Sequence, residues 1–400
     1  MISVYTLTSS LHDQQVLDES SRKFLSSIGF DYTMKGEDFS TYGQSDLDLI
    51  FVRTGGTEGL FKPLLPQIQR ASRQPVYLLT SGMSNSLAAS MEILSYLRSK
   101  GFPGEIIHGS PSFIASRIRT LEATEIARKR LASLRLGVIG APSDWLIASK
   151  ADYAAVRTKL GIELVDIPMT ELLGEIATVP HDDQAARIAF GTELFSAAPK
   201  VQGAATGAYR IYDSLKRVMA RHNLDGFTLR CFDLLTTVRN TGCFALAKIN
   251  SQGFLAGCEG DVPALLSMAI GRAVTGVSGF QANPSSINPE TGEVIFAHCT
   301  IPLDMVTRYT YDTHFESGIG VGIRGHLREG EVTVLKVSGD LSRCFVAEGT
   351  LLRNQSDPNL CRTQVVIHLD DTGYFLTDPI GNHHIILPGH VASSIKALLG

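Results

Sequence analysis

Residues 49–52 (Leu-Ile-Phe-Val) and 76–79 (Val-Tyr-Leu-Leu) are unbroken apolar runs, the pattern of parallel strands buried on both faces. Each gives way to small polar residues, Thr54-Gly55-Gly56-Thr57 after the first and Thr80-Ser81-Gly82 after the second. A helical stripe at Leu87, Met91, Leu94 and Leu97 follows. A charged helical stretch over 111–131 leads to a new strand-and-loop start at 136–142, and 162–167 reads as the next strand. Residues 202–220 predict a long helix, whereas 227–232 and 243–249 predict strands. The turn residues at 250–253 predict a hairpin or tight connection into 254–257. Beyond about 290 the texture changes. Strand runs at 294–297, 332–337, 343–347 and 363–369 are separated by Gly, Asp and Pro turns, and helical signal returns only at 391–399. The pattern predicts two α/β domains with parallel sheets, 1–132 and 133–290, followed by a β-rich, barrel-like domain at 291–400.

Composition narrows the functional classes. At 400 residues, with 44% apolar and 19% charged residues, the chain has enough apolar material for more than one core. A net charge of −4 and the lack of any basic run argue against nucleic acid as a partner. The N-terminal residues lack a charged segment followed by an apolar one, and no run approaches the ~18 apolar residues of a membrane helix. The six cysteines form no CxxC and no regular framework, as expected of free thiols in a reducing compartment. These features predict a soluble, cytoplasmic protein. Neither glycine-rich turn near 55 or 82 ends in the Gly-Lys-Ser/Thr of a phosphate loop, and Gly137-Val138-Ile139-Gly140-Ala141-Pro142 lacks a complete dinucleotide fingerprint.

The candidate chemistry lies later. In Gly257-Cys258-Glu259-Gly260-Asp261-Val262-Pro263 an acidic pair stands where a strand turns into a helix. Pro263 suits the first helical turn, so Asp261 is placed to cap that helix and Glu259 is free to face a cleft. Asn283, before Pro284, is by itself an ordinary turn starter. His298 ends the strand run at 294–297. His383 and His384 precede another apolar run, and on an extended segment only one of the two can face a given site. A carboxylate, a carboxamide and two imidazoles from separate places suit a divalent ion such as Mn²⁺, with Zn²⁺, Co²⁺ or Fe²⁺ also compatible.

This set of segments resembles the L-fucose and L-arabinose isomerase family. The matching pieces are Cys258-Glu259-Gly260-Asp261-Val262, the stretch to Asn283-Pro284, Phe296-Ala297-His298-Cys299, Gly330-Glu331-Val332 and Gly381-Asn382-His383-His384; Thr54-Gly55-Gly56-Thr57-Glu58 is similar to the family's first domain. The resemblance implies two Rossmann-like α/β domains before the β-rich one, and a Mn²⁺-dependent aldose–ketose isomerase working through a cis-enediol. It also implies a homotrimer or homohexamer with active sites at subunit contacts. It makes Glu259 both metal ligand and proton-transfer group, and His298 and one of His383 and His384 ligands; of those two, His384 is the expectation. Asn283 occupies the place of a second acidic residue, as a neutral ligand or substrate contact. That substitution leaves a second expectation open: a catalytically silent, sugar-binding or regulatory relative.

Overall fold

A computed structural model of the chain describes residues 1–10, 14–71 and 74–399. It divides into two compact units, residues 1–126 and 127–400.

The first unit is built on a five-stranded parallel sheet. Its strands are β1 (Ile2–Leu7), β2 (Thr33–Gly36), β3 (Leu47–Val52), β4 (Val76–Thr80) and β5 (Gly104–Ile107), in the order β2-β1-β3-β4-β5. Every residue of β1, β3 and β4 is buried, so the unbroken apolar runs do mark strands covered on both faces. The two polar loops after β3 and β4 brace each other, Gly55 donating its backbone N–H to the Ser84 carbonyl at 2.7 Å.

The second unit joins a parallel sheet to a barrel. Strands β6 (Arg135–Ile139), β7 (Glu163–Ile167), β8 (Gly226–Leu229) and β9 (Leu255–Cys258) form a sheet in the order β7-β6-β8-β9. β10 (Phe280–Asn288) and β11 (Glu293–His298) begin the barrel, and β12 (Val306–Asp312) pairs with β13 (Gly322–Leu327) as a separate ribbon. β14 (Gly330–Val337), β15 (Cys344–Asn354), β16 (Thr363–Leu369) and β17 (His384–Pro388) complete a closed, antiparallel barrel in the order β10-β11-β16-β15-β14-β17. The α/β architecture with parallel sheets and a β-barrel is therefore the one the sequence predicts. A single apolar core runs from Ile139 and Phe227 of the sheet to Phe296 and Ile386 of the barrel, so the two parts are packed as one body.

Three local expectations are corrected. Residues 243–249 are not a strand but part of the helix Cys243–Ser251, in which Cys243, Phe244, Ala245, Leu246, Ala247 and Ile249 are all buried. A helix buried on nearly every side shows the same unbroken apolar run as a buried strand, so periodicity cannot separate them. The segment 250–253 accordingly links that helix to β9, which runs parallel to β8, rather than forming a hairpin. Asn283-Pro284, read as a turn, lies within β10; the register against β11 shifts between Pro284 and Ser286, an irregularity that accommodates a residue without an N–H. The cysteines are free, four of them buried.

Candidate active site

The site forms at the carboxyl end of β9, where an open parallel sheet presents its loops. Glu259 and Gly260 follow the strand with φ of 63° and 70°, two left-handed residues that turn the chain sharply into the helix Val262–Thr275. Glycine is required at the second of these. A Cβ on Gly260 would lie 2.2 Å from the Ala141 carbonyl oxygen, because the loop after β6 packs directly against this turn. Asp261 caps the helix as expected, its Oδ1 accepting the Ala264 N–H at 2.9 Å. Gln281 of β10 ties the barrel to the same strand end, its Oε1 accepting the Cys258 N–H at 2.9 Å.

Glu259, His298 and His383 converge, each buried, with one donor atom apiece lying within 4.8 Å of the others. Glu259 Oε1 is 3.4 Å from His383 Nε2 and 3.9 Å from His298 Nε2. Its Oε2 accepts the Trp145 indole N–H at 2.7 Å. The outer nitrogens of both imidazoles are occupied. His298 Nδ1 is 2.7 Å from Thr300 Oγ1, and His383 Nδ1 is 2.9 Å from Asp261 Oδ2. Asp261 thus uses one oxygen for the helix and the other for His383. The buried Lys336 ammonium lies 3.3 Å from that second oxygen. His383 Nε2, by contrast, is buried and has no hydrogen-bond partner.

The electrostatics follow from this packing. Burial works to raise the Glu259 carboxyl, but His383, His298 and the Trp145 N–H outweigh it and hold it at about 2. Burial also opposes charge on His383, yet the carboxylates of Asp261 and Glu259 carry it up to about 9. His298 is pushed down to about 3 by burial and by the neighbouring His383. Burial works to raise Asp261 as well, but the Lys336 ammonium and His383 keep it well below the usual carboxylate range.

The other predicted residues lie differently. His384 faces away from Glu259: Nδ1 bonds the Asn382 carbonyl at 2.9 Å, Nε2 meets the Tyr374 hydroxyl at 3.1 Å, and the ring packs among Phe345, Phe375 and Phe296. The late histidine beside Glu259 is His383. Asn283 is half-buried on the face of β10 that carries Gln281, and its Oδ1 accepts the Asn382 side-chain N–H at 3.1 Å. Sequence reasoning missed Trp145, Thr300 and Lys336. Only Lys336 left a signal, as a lysine between the apolar Leu335 and Val337 near the end of a strand run.

No protein-family model matches the chain. A stretch of 278 residues, 67% of the chain, is 24% identical to proteins named sulfoquinovose isomerase from Priestia aryabhattai and from Priestia megaterium (strain ATCC 12872 / QMB1551). It is also 27% identical over 186 residues, 45% of the chain, to the sulfoquinovose isomerase of Clostridium sp. (strain MSTE9), covering 40% of that protein. The chain spans 62% of the length of the two Priestia relatives. The likeness is to sugar isomerases. No helix among the described residues is long and apolar enough to cross a membrane.

Proposed function

We propose that this chain is a metal-dependent aldose–ketose isomerase acting through a cis-enediol, of the L-fucose/L-arabinose isomerase type. The observation that carries it is the convergence of one carboxylate and two imidazoles, with His383 Nε2 buried and making no hydrogen bond. The likeness to proteins named sulfoquinovose isomerase supports the reaction class.

The residues present fit a divalent ion. His383 Nε2 is buried 3.4 Å from Glu259 Oε1 and makes no hydrogen bond, and a buried polar nitrogen left so is costly. His383 has its other nitrogen held by the Asp261 carboxylate, the arrangement that orients metal-bound imidazoles, and His298 is fixed through its Nδ1 by the Thr300 hydroxyl and by the Thr300 backbone N–H at 3.2 Å. Two histidines and a carboxylate suit a divalent first-row ion, Mn²⁺ by the family resemblance with Fe²⁺, Co²⁺ or Zn²⁺ also compatible, and leave positions open for substrate oxygens. Glu259, His298 and His383 would hold the ion, with Asn283 and His384 outside this group. When bound, the ion offsets the negative charge that develops on the sugar oxygens.

Isomerisation moves one hydrogen from C2 to C1 of the open-chain sugar and another from the C2 hydroxyl to the carbonyl oxygen, with no net change in oxidation state. Glu259, ionised at any physiological pH, takes the C2 proton and returns it to C1. His298 and His383 fix its orientation. Assembly into trimers or hexamers, with sites completed at subunit contacts, remains part of this reading.

Incubation of the purified protein with an aldose panel including sulfoquinovose, L-fucose and L-arabinose tests the proposal. Metal-dependent ketose formation supports it; no ketose from any sugar, with metal bound, counts against it. Asn283 favours a second reading, a silent sugar-binding relative, because a carboxamide cannot exchange a proton in place of the second acidic group. Sugar binding with neither metal nor turnover would select that reading.

Metal uptake is expected to release close to one proton per site between pH 6 and 8. In that window His298 is neutral and Glu259 ionised, whereas His383, raised to about 9, must lose its Nε2 proton before that nitrogen can bind. Protons compete with the ion, so affinity falls about tenfold for each unit the pH drops below 9. Titration calorimetry in two buffers of different ionisation enthalpy measures the proton count; a value near zero would contradict the assignment.

A further inference from the structure

We infer that Trp145 is a positioning residue for Glu259 and that its exposed indole is the platform on which the sugar's carbon chain lies. The inference rests on the metal-site reading above and adds to it a residue from a loop that carries none of the proposed ligands.

Trp145 is the only tryptophan of the chain, and it remains 52% exposed although the carboxylate it bonds belongs to a residue only 8% exposed. Its Nε1–H takes one oxygen of Glu259, Oε2, and so leaves Oε1 as the oxygen near both imidazoles. Without that bond the carboxylate plane can swing about its last torsion, a broad and weakly restrained one, so that neither oxygen is held toward the imidazoles.

The loop is fastened to the site at its base. Ser143 donates its N–H to the Glu259 carbonyl at 2.9 Å, and Arg230 bonds the Pro142 carbonyl at 2.6 Å. Arg230 also pairs with the Asp144 carboxylate at 2.7 Å. Phe232 meets the indole edge-on, with ring centroids 4.8 Å apart at 80°. Trp145 is therefore held by backbone, ion pair and ring contact while much of its ring stays uncovered. An amphipathic ring with its N–H satisfied beside a polar centre and its apolar surface open suits a ligand that presents C–H groups to one side and hydroxyls to the other. An open-chain or cyclic sugar has that character.

Two substitutions separate the roles. Trp145→Phe keeps an aromatic ring but removes the N–H; Trp145→Ala removes both. In Trp145→Phe, Mn²⁺ binding measured by calorimetry is expected to weaken about 10- to 100-fold, as when a metal ligand loses its orienting partner, while the melting temperature stays close to wild type. Its kcat should fall with little change in KM for the sugar, whereas Trp145→Ala should raise KM as well, by about tenfold or more. The lone tryptophan supplies an independent signal. Its emission should change between wild type and Glu259→Gln, where a neutral amide replaces the anion at the indole N–H. Wild-type Mn²⁺ affinity in Trp145→Phe, or identical emission in wild type and Glu259→Gln, would overturn the positioning role; an unchanged KM in Trp145→Ala would overturn the platform. If the wild type binds no Mn²⁺, the metal-site reading itself fails, and the emission comparison still decides whether indole and carboxylate are joined.

Discussion

Glu259→Gln is expected to lower ketose formation by about 10³-fold or more, with the protein still folded. Glutamine preserves the shape and can still accept the Trp145 N–H, so the packing at the end of β9 survives. It cannot take a proton from carbon, and it removes the only carboxylate among the three converging side chains. Both losses fall on the same reacting centre, so the effect is larger than that of either alone. Steady-state assays on the sugar turned over by the wild type, alongside thermal melts, measure it. Turnover within tenfold of wild type would mean that another group is the base.

Asp261→Asn is expected to destabilise the fold by about 3–5 kcal/mol, the cost of breaking a buried ion pair by removing one partner. Asparagine caps a helix about as well as aspartate, so the Val262–Thr275 helix keeps its start. What disappears is the negative charge facing Lys336 and His383, at a residue with no exposed surface. The Lys336 ammonium, only 1% exposed, would then have no opposing charge at that position. Metal affinity should fall about 10- to 100-fold in the same variant, because His383 loses the acceptor that orients it. Chemical denaturation of Asp261→Asn, Lys336→Met and the double variant separates these contributions. Recovery of part of the lost stability in the double variant identifies the buried pair as the cause. A single-variant loss below about 1 kcal/mol would place the stabilisation elsewhere.

Much of this architecture could be read along the chain because its signals are local. The runs at 49–52 and 76–79 are apolar enough to require burial on both faces, and both are central strands of the first sheet. The Asp261-Val262-Pro263 order fixes a helix start within a few residues, whatever that helix packs on. Glu259 was legible for the same reason, as the acidic residue just ahead of the cap.

What was not legible depends on partners distant in the chain. The run at 243–249 became a helix because the surrounding core encloses it, and no period within the run says so. The choice between His383 and His384 is the clearest instance. Adjacent residues on a strand must face opposite sides, which the sequence states. Which side faces Glu259 depends on how β17 is registered in the barrel, with Ala282 opposite His384 and Gln281 opposite Ile385. Closure of the barrel sets that register, and a shift of one residue would exchange the two histidines. Trp145 and Lys336 join the site by the same route, through a loop packed on the Glu259 turn and a strand brought beneath Asp261. The sequence by itself thus determined the central strands of the first sheet, the helix cap and the acidic residue at the strand end, because backbone preference and apolar period act over a few residues. Only the tertiary structure decided which imidazole, which indole and which ammonium surround that carboxylate, because those distances are set by register and packing between segments far apart in the chain.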